Sequence, residues 1–220
     1  MSSTPVKKQL FEQFAKVGKA LGSAPRLEIL ELLAQRERTV EALAQLTALP
    51  VANVSQHLQA LRRASLVAAR KAGLYVHYRL ASADVAELLF VIQRVAEHEV
   101  EEVGALVRTY LARKDALDPV SREWLLTEAK AGRVTVIDVR PAEEFAAGHI
   151  PHALNVPLDR LASRLAEFPP EREVVAYCRG PFCVLAYEAV ARLRARGLRA
   201  RRLEGGFPQW RAAALPVETG

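Results

Sequence analysis

Cysteine is nearly absent from this sequence. Cys178 and Cys183 are the two cysteines among its 220 residues, and this excludes a small secreted scaffold held together by many disulfides. No apolar run approaches the roughly 18 uninterrupted residues that a membrane helix needs, and the amino terminus lacks the apolar core of a signal peptide. We therefore expect a cytoplasmic protein with no membrane partner, in which both thiols are free to react.

Acidic residues are missing from one long stretch of the first half. The chain carries 25 Asp and Glu residues, but none lies between Glu41 and Asp84. The basic residues of that stretch are Arg62, Arg63, Arg70, Lys71 and Arg79, with His57 and His77 beside them. A basic stretch without carboxylates is typical of a face that binds a polyanion.

The length favours two domains of about 100 residues each. Hydrophobic residues make up 50% of the chain and charged residues 25%, which is the usual mixture for globular protein. The segment from Arg113 to Pro119 is short, charged and ends in proline, as linkers often do. We predict a first domain over residues 1–112, a linker over 113–119 and a second domain over 120–220.

The first half has the pattern of a small helical domain with a β-hairpin. Apolar residues recur at helical spacing from Val6 to Leu21, from Pro25 to Leu33 and, after Pro50, from Val51 to Leu61. The opposite face of this last helix is polar and suits base edges and phosphates. It carries Asn53, Ser55, Gln56, His57, Gln59, Arg62 and Arg63. Two β-like runs follow, Leu66 to Arg70 and Leu74 to Leu80, joined by Lys71, Ala72 and Gly73. This order predicts a winged helix-turn-helix, a mainly α fold.

These residues resemble the ArsR family of regulators in two runs, LGSAPRLEILELL and VSQHLQALRRASLVAARKAGLYVHYRL. The resemblance implies a homodimer that binds a palindromic operator in double-stranded DNA, with Ser55, Gln56 and His57 in the major groove. The wing residues that it implies at the DNA are Arg70, Lys71, Tyr75 and His77. We expect one long helix from Ser82 to about Leu111 to pack in the dimer.

The second half changes to alternating strand and helix patterns. Val134 to Asp138 and Val174 to Tyr177 are apolar, β-branched runs that suit buried parallel strands, and helical patterns lie around each. This alternation predicts an α/β domain with a central parallel sheet. Ligands of such sheets bind at the carboxyl ends of the strands, and Cys178 directly follows one of them.

The loop CRGPFC runs from Cys178 through Arg179, Gly180, Pro181 and Phe182 to Cys183. Its backbone N–H groups and the start of the next helix can converge on the cysteine sulfur and favour an anion there. With Arg179 adjacent, we expect the pKa of the Cys178 thiol to lie below the free value of ~8.5. Cys178 is therefore the predicted nucleophile.

This half resembles a rhodanese domain in IDVRPAEEFAAGHIPHALNVPL, in VVAYCRGPFC and in LEGGFPQWRAAALPV. The resemblance implies that Cys178 takes sulfur from a small donor such as thiosulfate or a polysulfide and becomes a persulfide, with no cofactor. Asp138, Arg140 and His149 match framework positions, and we interpret Gly205 and Gly206 as turn residues. Related phosphatases and arsenate reductases carry a clamping arginine where this chain has Val184, which argues against phosphate or arsenate chemistry.

Two interpretations of Cys183 stay open. It is either a resolving thiol that attacks the Cys178 persulfide, as in a redox sensor, or a small residue packed under the loop.

The function that unites both halves is a transcriptional regulator whose rhodanese domain senses or processes reactive sulfur. One alternative is a thiosulfate sulfurtransferase that uses the winged helix for dimerisation or DNA tethering. Another is a metal- or arsenite-responsive repressor that uses the two thiols as soft ligands. We predict no metal in the first half, because a helix face with Asp84, His98, Glu101 and Glu102 is more typical of solvated surface.

Overall fold

The computed structural model describes residues 4–107, 109 and 119–220. The chain divides into two compact units, the first ending at Leu89 and the second beginning at Phe90. Residues 113–118 of the predicted linker lie outside the described residues, as does Leu111 at the predicted end of the long helix. The predicted domain limits therefore stay predictions.

The first unit is built from helices and a small antiparallel sheet. Its elements are α1 (Pro5–Leu21), α2 (Ala24–Gln35), β1 (Arg38–Thr39), α3 (Val40–Thr47), α4 (Val51–Arg63), β2 (Val67–Ala72) and β3 (Tyr75–Leu80), and it includes the start of α5 (Ala83–Glu99). Thr39 caps α3, because its side-chain oxygen accepts a hydrogen bond from the backbone N–H of Ala42 at 3.3 Å. Fully buried aliphatic side chains from α2, α3 and α4 form the core, among them Ile29, Leu30, Leu43, Leu58 and Leu61.

The wing is a three-stranded sheet in the order β1-β3-β2. β2 pairs with β3 from Val67 opposite Leu80 to Ala72 opposite Tyr75. The connection between them is Gly73 and Leu74, not the predicted Lys71 to Gly73. Gly73 has a φ of 60°, a conformation that favours glycine at a tight turn. β1, which pairs with β3, was not predicted from the sequence.

The predicted long helix is interrupted at Val100. α5 ends at Glu99, and α6 (Glu101–Leu106) begins after a residue in the β region, with φ −104° and ψ 107°. The Val100 carbonyl accepts hydrogen bonds from the N–H groups of Val103 and Gly104 and so begins a new helix. Glu101 and Glu102 in its first turn are favourably placed at the positive end of the helix dipole. The expectation of one continuous helix is therefore wrong.

The second unit is an α/β domain around a parallel sheet, as predicted. Its further elements are α7 (Arg122–Lys130), β4 (Val134–Asp138), α8 (Ala142–Ala147), β5 (Leu154–Asn155), a 3₁₀-helix (Leu161–Glu167), β6 (Glu173–Tyr177), α9 (Val184–Arg194), β7 (Ala200–Arg202) and α10 (Phe207–Ala212). The strands pair in the order β5-β4-β6-β7, and each neighbouring pair is parallel.

The two faces of this sheet are both covered. Along β6, Val174 and Ala176 belong to one apolar cluster, and Val175 and Tyr177 belong to the other, as the alternation of side chains in a strand requires. Because both faces are buried, the strands read as nearly continuous apolar runs. The paired ends of β4 and β6 bring Asp138 opposite Tyr177, directly before Cys178.

Within the described residues, no helix combines the length and the apolar character needed to cross a bilayer.

Candidate active site and candidate nucleic-acid interface

The cysteine loop connects the carboxyl end of β6 to the start of α9. Cys178 is fully buried directly after the strand, and Cys183 is the N-cap residue of α9. The backbone N–H of Cys183 donates to the carbonyl of Gly180 at 3.1 Å, and the Tyr187 hydroxyl donates to the carbonyl of Pro181 at 3.1 Å. These contacts hold the intervening residues as a turn, so α9 begins at Val184.

The two sulfur atoms meet across this loop. Cys178 and Cys183 are joined as a disulfide, with their Cα atoms 6.2 Å apart. The pair that the sequence placed five residues apart is therefore within bonding reach in space. Such a loop can exist as a dithiol or as a disulfide, and the two forms differ by two electrons.

Arg179 contacts a buried carboxylate. Its Nε lies 3.1 Å from both carboxylate oxygens of Glu144, and its Nη2 donates to Oε1 at 2.7 Å. The Glu144 side chain is fully buried on α8. Sequence reasoning placed Arg179 at the site but missed Glu144. The two lie 35 residues apart, and nothing in the spacing links them.

Gly206 packs directly against the backbone of the cysteine loop. A Cβ at this position would lie 2.5 Å from the Gly180 nitrogen and 2.6 Å from the Cys178 carbonyl oxygen. The following N–H, of Phe207, donates to that same Cys178 oxygen at 3.0 Å. Gly205 has the positive φ of a turn residue, 82°. Gly206 is extended, and its requirement is steric, so the interpretation of Gly206 as a turn residue is wrong.

A buried ion pair supports the strand ends beneath the loop. The guanidinium of Arg140 binds the carboxylate of Asp138 through Nη2 at 2.6 Å, and both side chains have no exposed surface. The same Nη2 donates to the carbonyl of Gly148 at 2.8 Å, and the guanidinium lies 4.3 Å from the centre of the Phe207 ring. These contacts give both residues a structural role.

Tyr177 and His149 complete this framework. The hydroxyl of Tyr177 accepts a hydrogen bond from the N–H of Ile150 at 3.1 Å. Burial, reinforced by the nearby Asp138 carboxylate, raises the pKa of Tyr177 well above 10. The His149 ring stacks on Phe145 with ring centres 3.7 Å apart, and its Nδ1 lies 3.0 Å from the carbonyl oxygen of Phe145.

In the first unit, α4 separates a buried face from a polar face. Val54, Leu58 and Leu61 are fully buried, whereas Val51, which was expected beside them, is 48% exposed. The predicted DNA-contacting residues of α4 lie on the other side. Asn53, Gln56, Gln59, Arg62 and Arg63 are exposed, and Ser55 and His57 are partly exposed.

On the wing, Lys71 and Tyr75 are exposed and His77 is partly exposed, but Arg70 is held by a carboxylate. Its Nε donates to Oε2 of Glu37 at 2.9 Å, and its Nη2 contacts the other carboxylate oxygen. The hydrogen bonds from Arg70 lower the pKa of Glu37 below its ordinary value of 4.5. Glu37 was not recognised in the sequence. It is a competitor for the arginine that was predicted to bind phosphate.

Comparisons with known proteins match both halves of the chain. Residues 24–69 match the model of bacterial regulatory proteins of the arsR family, and residues 121–213 match the rhodanese-like domain. The chain is 46% identical to the HTH-type transcriptional regulator Rv0324 of Mycobacterium tuberculosis, over 97% of this chain and 94% of that protein.

Two further relatives each match one half. A sulfurtransferase of Allochromatium vinosum is 38% identical over 38% of this chain and 78% of its own length. The solution structure of a homodimeric winged helix-turn-helix DNA-binding domain from Mycobacterium bovis is 44% identical. It covers 46% of this chain and 94% of that one, with a TM-score of 0.43.

Proposed function

The chain belongs to the ArsR family of transcriptional regulators and carries a rhodanese-like domain at its carboxyl end, and on this premise we propose that it regulates transcription in response to reactive sulfur. Cys178 receives the sulfur, and the state of Cys178 changes the affinity of the regulator for its operator. The observation that carries the proposal is the pair formed by Cys178 and Cys183 in one loop. Simple sulfur transfer requires no second thiol, whereas a switch between two stable states uses one.

The chemistry proceeds by two exchanges at sulfur. The Cys178 thiolate attacks the outer sulfur of the donor, and the rest of the donor leaves with the electron pair of the broken S–S bond. The Cys183 thiol then attacks the Sγ of the Cys178 persulfide, which forms the disulfide and releases the outer sulfur as hydrosulfide with the thiol proton. Two cellular thiols then reduce this disulfide in successive exchanges and leave as their own disulfide, which returns the pair to the dithiol.

The DNA-binding surface that we propose is the polar face of α4 together with the wing. Ser55, Gln56 and His57 lie in the middle of α4, where they suit base edges, and Arg62 and Arg63 at its end suit phosphates. On the wing, Lys71 is exposed and suited to phosphate, whereas Arg70 must first leave Glu37.

The assembly that we propose is a homodimer. α1 carries an apolar stripe that its own unit leaves bare, since Val6 is 65%, Leu10 50% and Phe14 61% exposed. An exposed apolar stripe of this kind marks an interaction surface. A second copy of the chain, applied about a twofold axis, covers it and presents two copies of α4 to a palindromic operator.

The sulfur signal acts by shifting a conformational equilibrium. Formation of the persulfide or the disulfide changes operator affinity only if it alters the free-energy difference between the DNA-binding and the non-binding conformation.

The test is operator affinity measured against the chemical state of Cys178. The probe is a duplex selected by the reduced full-length protein from a random-sequence pool. Polysulfide treatment is expected to change the Kd at least about 10-fold in the unaltered protein, a coupling of ~1.4 kcal/mol, and to leave Cys178→Ser unchanged. Cys183→Ser identifies which product acts, because this variant stops at the persulfide. An unchanged Kd, with mass spectrometry showing Cys178 fully modified, would overturn the proposal.

A second candidate function is thiosulfate sulfurtransferase activity, favoured by the similarity of the second half to a sulfurtransferase. Turnover separates the two functions. Rapid multiple turnover with thiosulfate and cyanide supports an enzyme, whereas one equivalent of sulfur followed by arrest as the disulfide supports a sensor.

A further inference from the structure

The net charge beside Cys178 is smaller than the loop sequence suggests. Arg179 is the cationic side chain of the loop, and Gly180, Pro181 and Phe182 bring no charged group. The Arg179 guanidinium is held on two sides by the carboxylate of Glu144, with hydrogen bonds of 2.7 and 3.1 Å. The buried carboxylate therefore cancels the charge that Arg179 would otherwise offer to an incoming anion.

The backbone adds a further attraction for an anion at the loop. α9 is an 11-residue helix that begins directly after Cys183, and the aligned peptides of a helix place roughly half a positive charge at its start. This partial charge suits an anion with one negative charge. Two further guanidinium groups pack against the Phe207 ring beneath the loop. Arg140 lies 4.3 Å from the ring centre and is paired with Asp138, and Arg211 lies 5.5 Å from the ring centre.

Candidate sulfur donors differ in their charge. Thiosulfate is a dianion, whereas a hydropolysulfide such as hydrodisulfide carries one negative charge at neutral pH. Because Coulomb energy is proportional to the charge of the donor, the loss of one protein cation weakens the attraction for thiosulfate twice as much as for hydrodisulfide.

We infer that Cys178 takes its sulfur from singly charged hydropolysulfides in preference to thiosulfate, and that Glu144 sets this preference by holding Arg179. The step is balanced: the Cys178 thiolate and hydrodisulfide give the Cys178 persulfide and hydrosulfide. This inference rests on the proposed function and names the donor class of the same site. Glu144 is a positioning residue in this scheme, since it acts through Arg179 and does not touch the donor.

The experiment measures single-turnover persulfidation of the reduced full-length chain by intact mass spectrometry. All proteins carry Cys183→Ser, so that the persulfide is not resolved, and the donors are thiosulfate and sodium disulfide. The test variant is Glu144→Gln, which removes the carboxylate charge. The matched control is Glu143→Gln, the same change at the exposed neighbouring position. The double variant Glu144→Gln with Arg179→Gln removes both charges and restores neutrality.

We expect the parent protein, which carries only Cys183→Ser, to react faster with inorganic disulfide than with thiosulfate. Glu144→Gln should raise the rate of persulfidation by thiosulfate about 10-fold and the rate by inorganic disulfide about threefold, since the dianion gains twice the interaction energy. Glu143→Gln and the double variant should keep the original ratio of the two rates. Added salt should slow the reaction with thiosulfate strongly in Glu144→Gln and weakly in the parent protein.

If Glu144→Gln changes the persulfidation rates with both donors by the same factor, Glu144 has a structural role and the inference is overturned. A parent protein that reacts faster with thiosulfate than with inorganic disulfide would overturn it as well. If Glu144→Gln does not fold, the salt dependence of the parent protein decides the question. A thiosulfate reaction rate that falls steeply with added salt would contradict the cancellation of the Arg179 charge by Glu144. Failure of the proposed function looks different. In that case neither donor modifies Cys178, or operator affinity ignores the modification while the donor preference holds.

Discussion

Gly206 ties the conformation of the cysteine loop to a segment far along the chain. Its Cα approaches the loop so closely that an added methyl group would lie 2.7 Å from the Arg179 carbonyl carbon. No flexible side chain is available there to move aside, because the nearest atoms are all backbone. The residue therefore fixes the loop by being small.

Gly206→Ala is expected to lower the free energy of unfolding by about 1–3 kcal/mol, the usual range for overpacking a well-packed site. It should also slow sulfur uptake by Cys178, because the loop must shift. Urea unfolding and the persulfidation rate measure the two effects. The control is Gly220→Ala, in the same unit, where a Cβ would lie at ordinary contact distances of 3.4 Å or more from Ala146. It should change the free energy of unfolding by less than about 0.5 kcal/mol.

Tyr177 gives the second unit a dependence on alkaline pH. Burial raises its pKa well above 10 in the folded protein, while the unfolded chain titrates near ~10. The folded state therefore holds the Tyr177 proton more tightly than the unfolded chain does. The contribution of Tyr177 to the free energy of unfolding is fully present below pH ~10, and it is lost as the pH rises through the pKa of Tyr177 in the folded protein. Tyr177→Phe should cost about 1 kcal/mol near pH 7, because the Ile150 N–H loses its acceptor. It should also show a smaller decline in stability above pH 10 than the unaltered protein. Tyr75→Phe, on the exposed wing, is the control, and an equal decline in Tyr177→Phe would contradict the assignment.

At the level of elements, the spacing of apolar residues predicted the helices and strands that are long enough to show a repeating pattern. α4, the hairpin and the strands β4 and β6 each bury a regular set of side chains, so their apolar spacing is visible in the sequence. β1 has two residues, Arg38 and Thr39, and no period to detect. The break at Val100 was missed because the residues around it continue a helical pattern, while the backbone there is extended.

The two cysteines of the candidate site could be predicted from the sequence, but the carboxylates that pair with its arginines could not. Cys178 and Cys183 stand in a recognisable loop directly after a strand, and the fold brings their sulfurs together. Glu144 and Glu37 are separated by 35 and 33 positions from the arginines that they bind. Such pairs are created by tertiary packing, and a single sequence contains no local signal for them.

The ion pair between Glu37 and Arg70 connects the wing to the chain just before β1. If Arg70 must leave Glu37 to reach a phosphate, Glu37→Gln should tighten DNA binding several-fold and steepen the dependence of log Kd on log salt by about 0.9 per added phosphate contact. Fluorescence anisotropy over a range of salt concentrations measures both quantities. Glu87→Gln, an exposed position on α5 with the same change in charge, is the matched control. A slope that stays the same in Glu37→Gln would mean that Arg70 does not reach the DNA.

On the scale of the whole molecule, the bare apolar stripe on α1 predicts the assembly state. Leu10→Glu combined with Phe14→Glu places two carboxylates where the second copy would pack, and burying an unpaired charge is strongly unfavourable. Dimer affinity should fall on the order of 100-fold or more, with helical content preserved. Sedimentation velocity at micromolar concentration and circular dichroism measure the two properties. Leu74→Glu, at the 96% exposed wing tip, should leave the dimer intact. A variant of α1 that remains dimeric would place the interface elsewhere.

The two tryptophans both lie in the second unit, and this makes that half separately observable. Trp210 is fully buried with its indole N–H donating to the Pro216 carbonyl at 2.7 Å, and the guanidinium of Arg201 lies 4.6 Å from the Trp124 ring. Indole emission therefore reports on the rhodanese-like half alone, whereas far-ultraviolet ellipticity reports on the helices of both. Following one denaturant titration by both signals gives two unfolding curves from unlabelled protein. Their coincidence or separation measures whether the rhodanese-like half and the winged-helix half unfold together or separately.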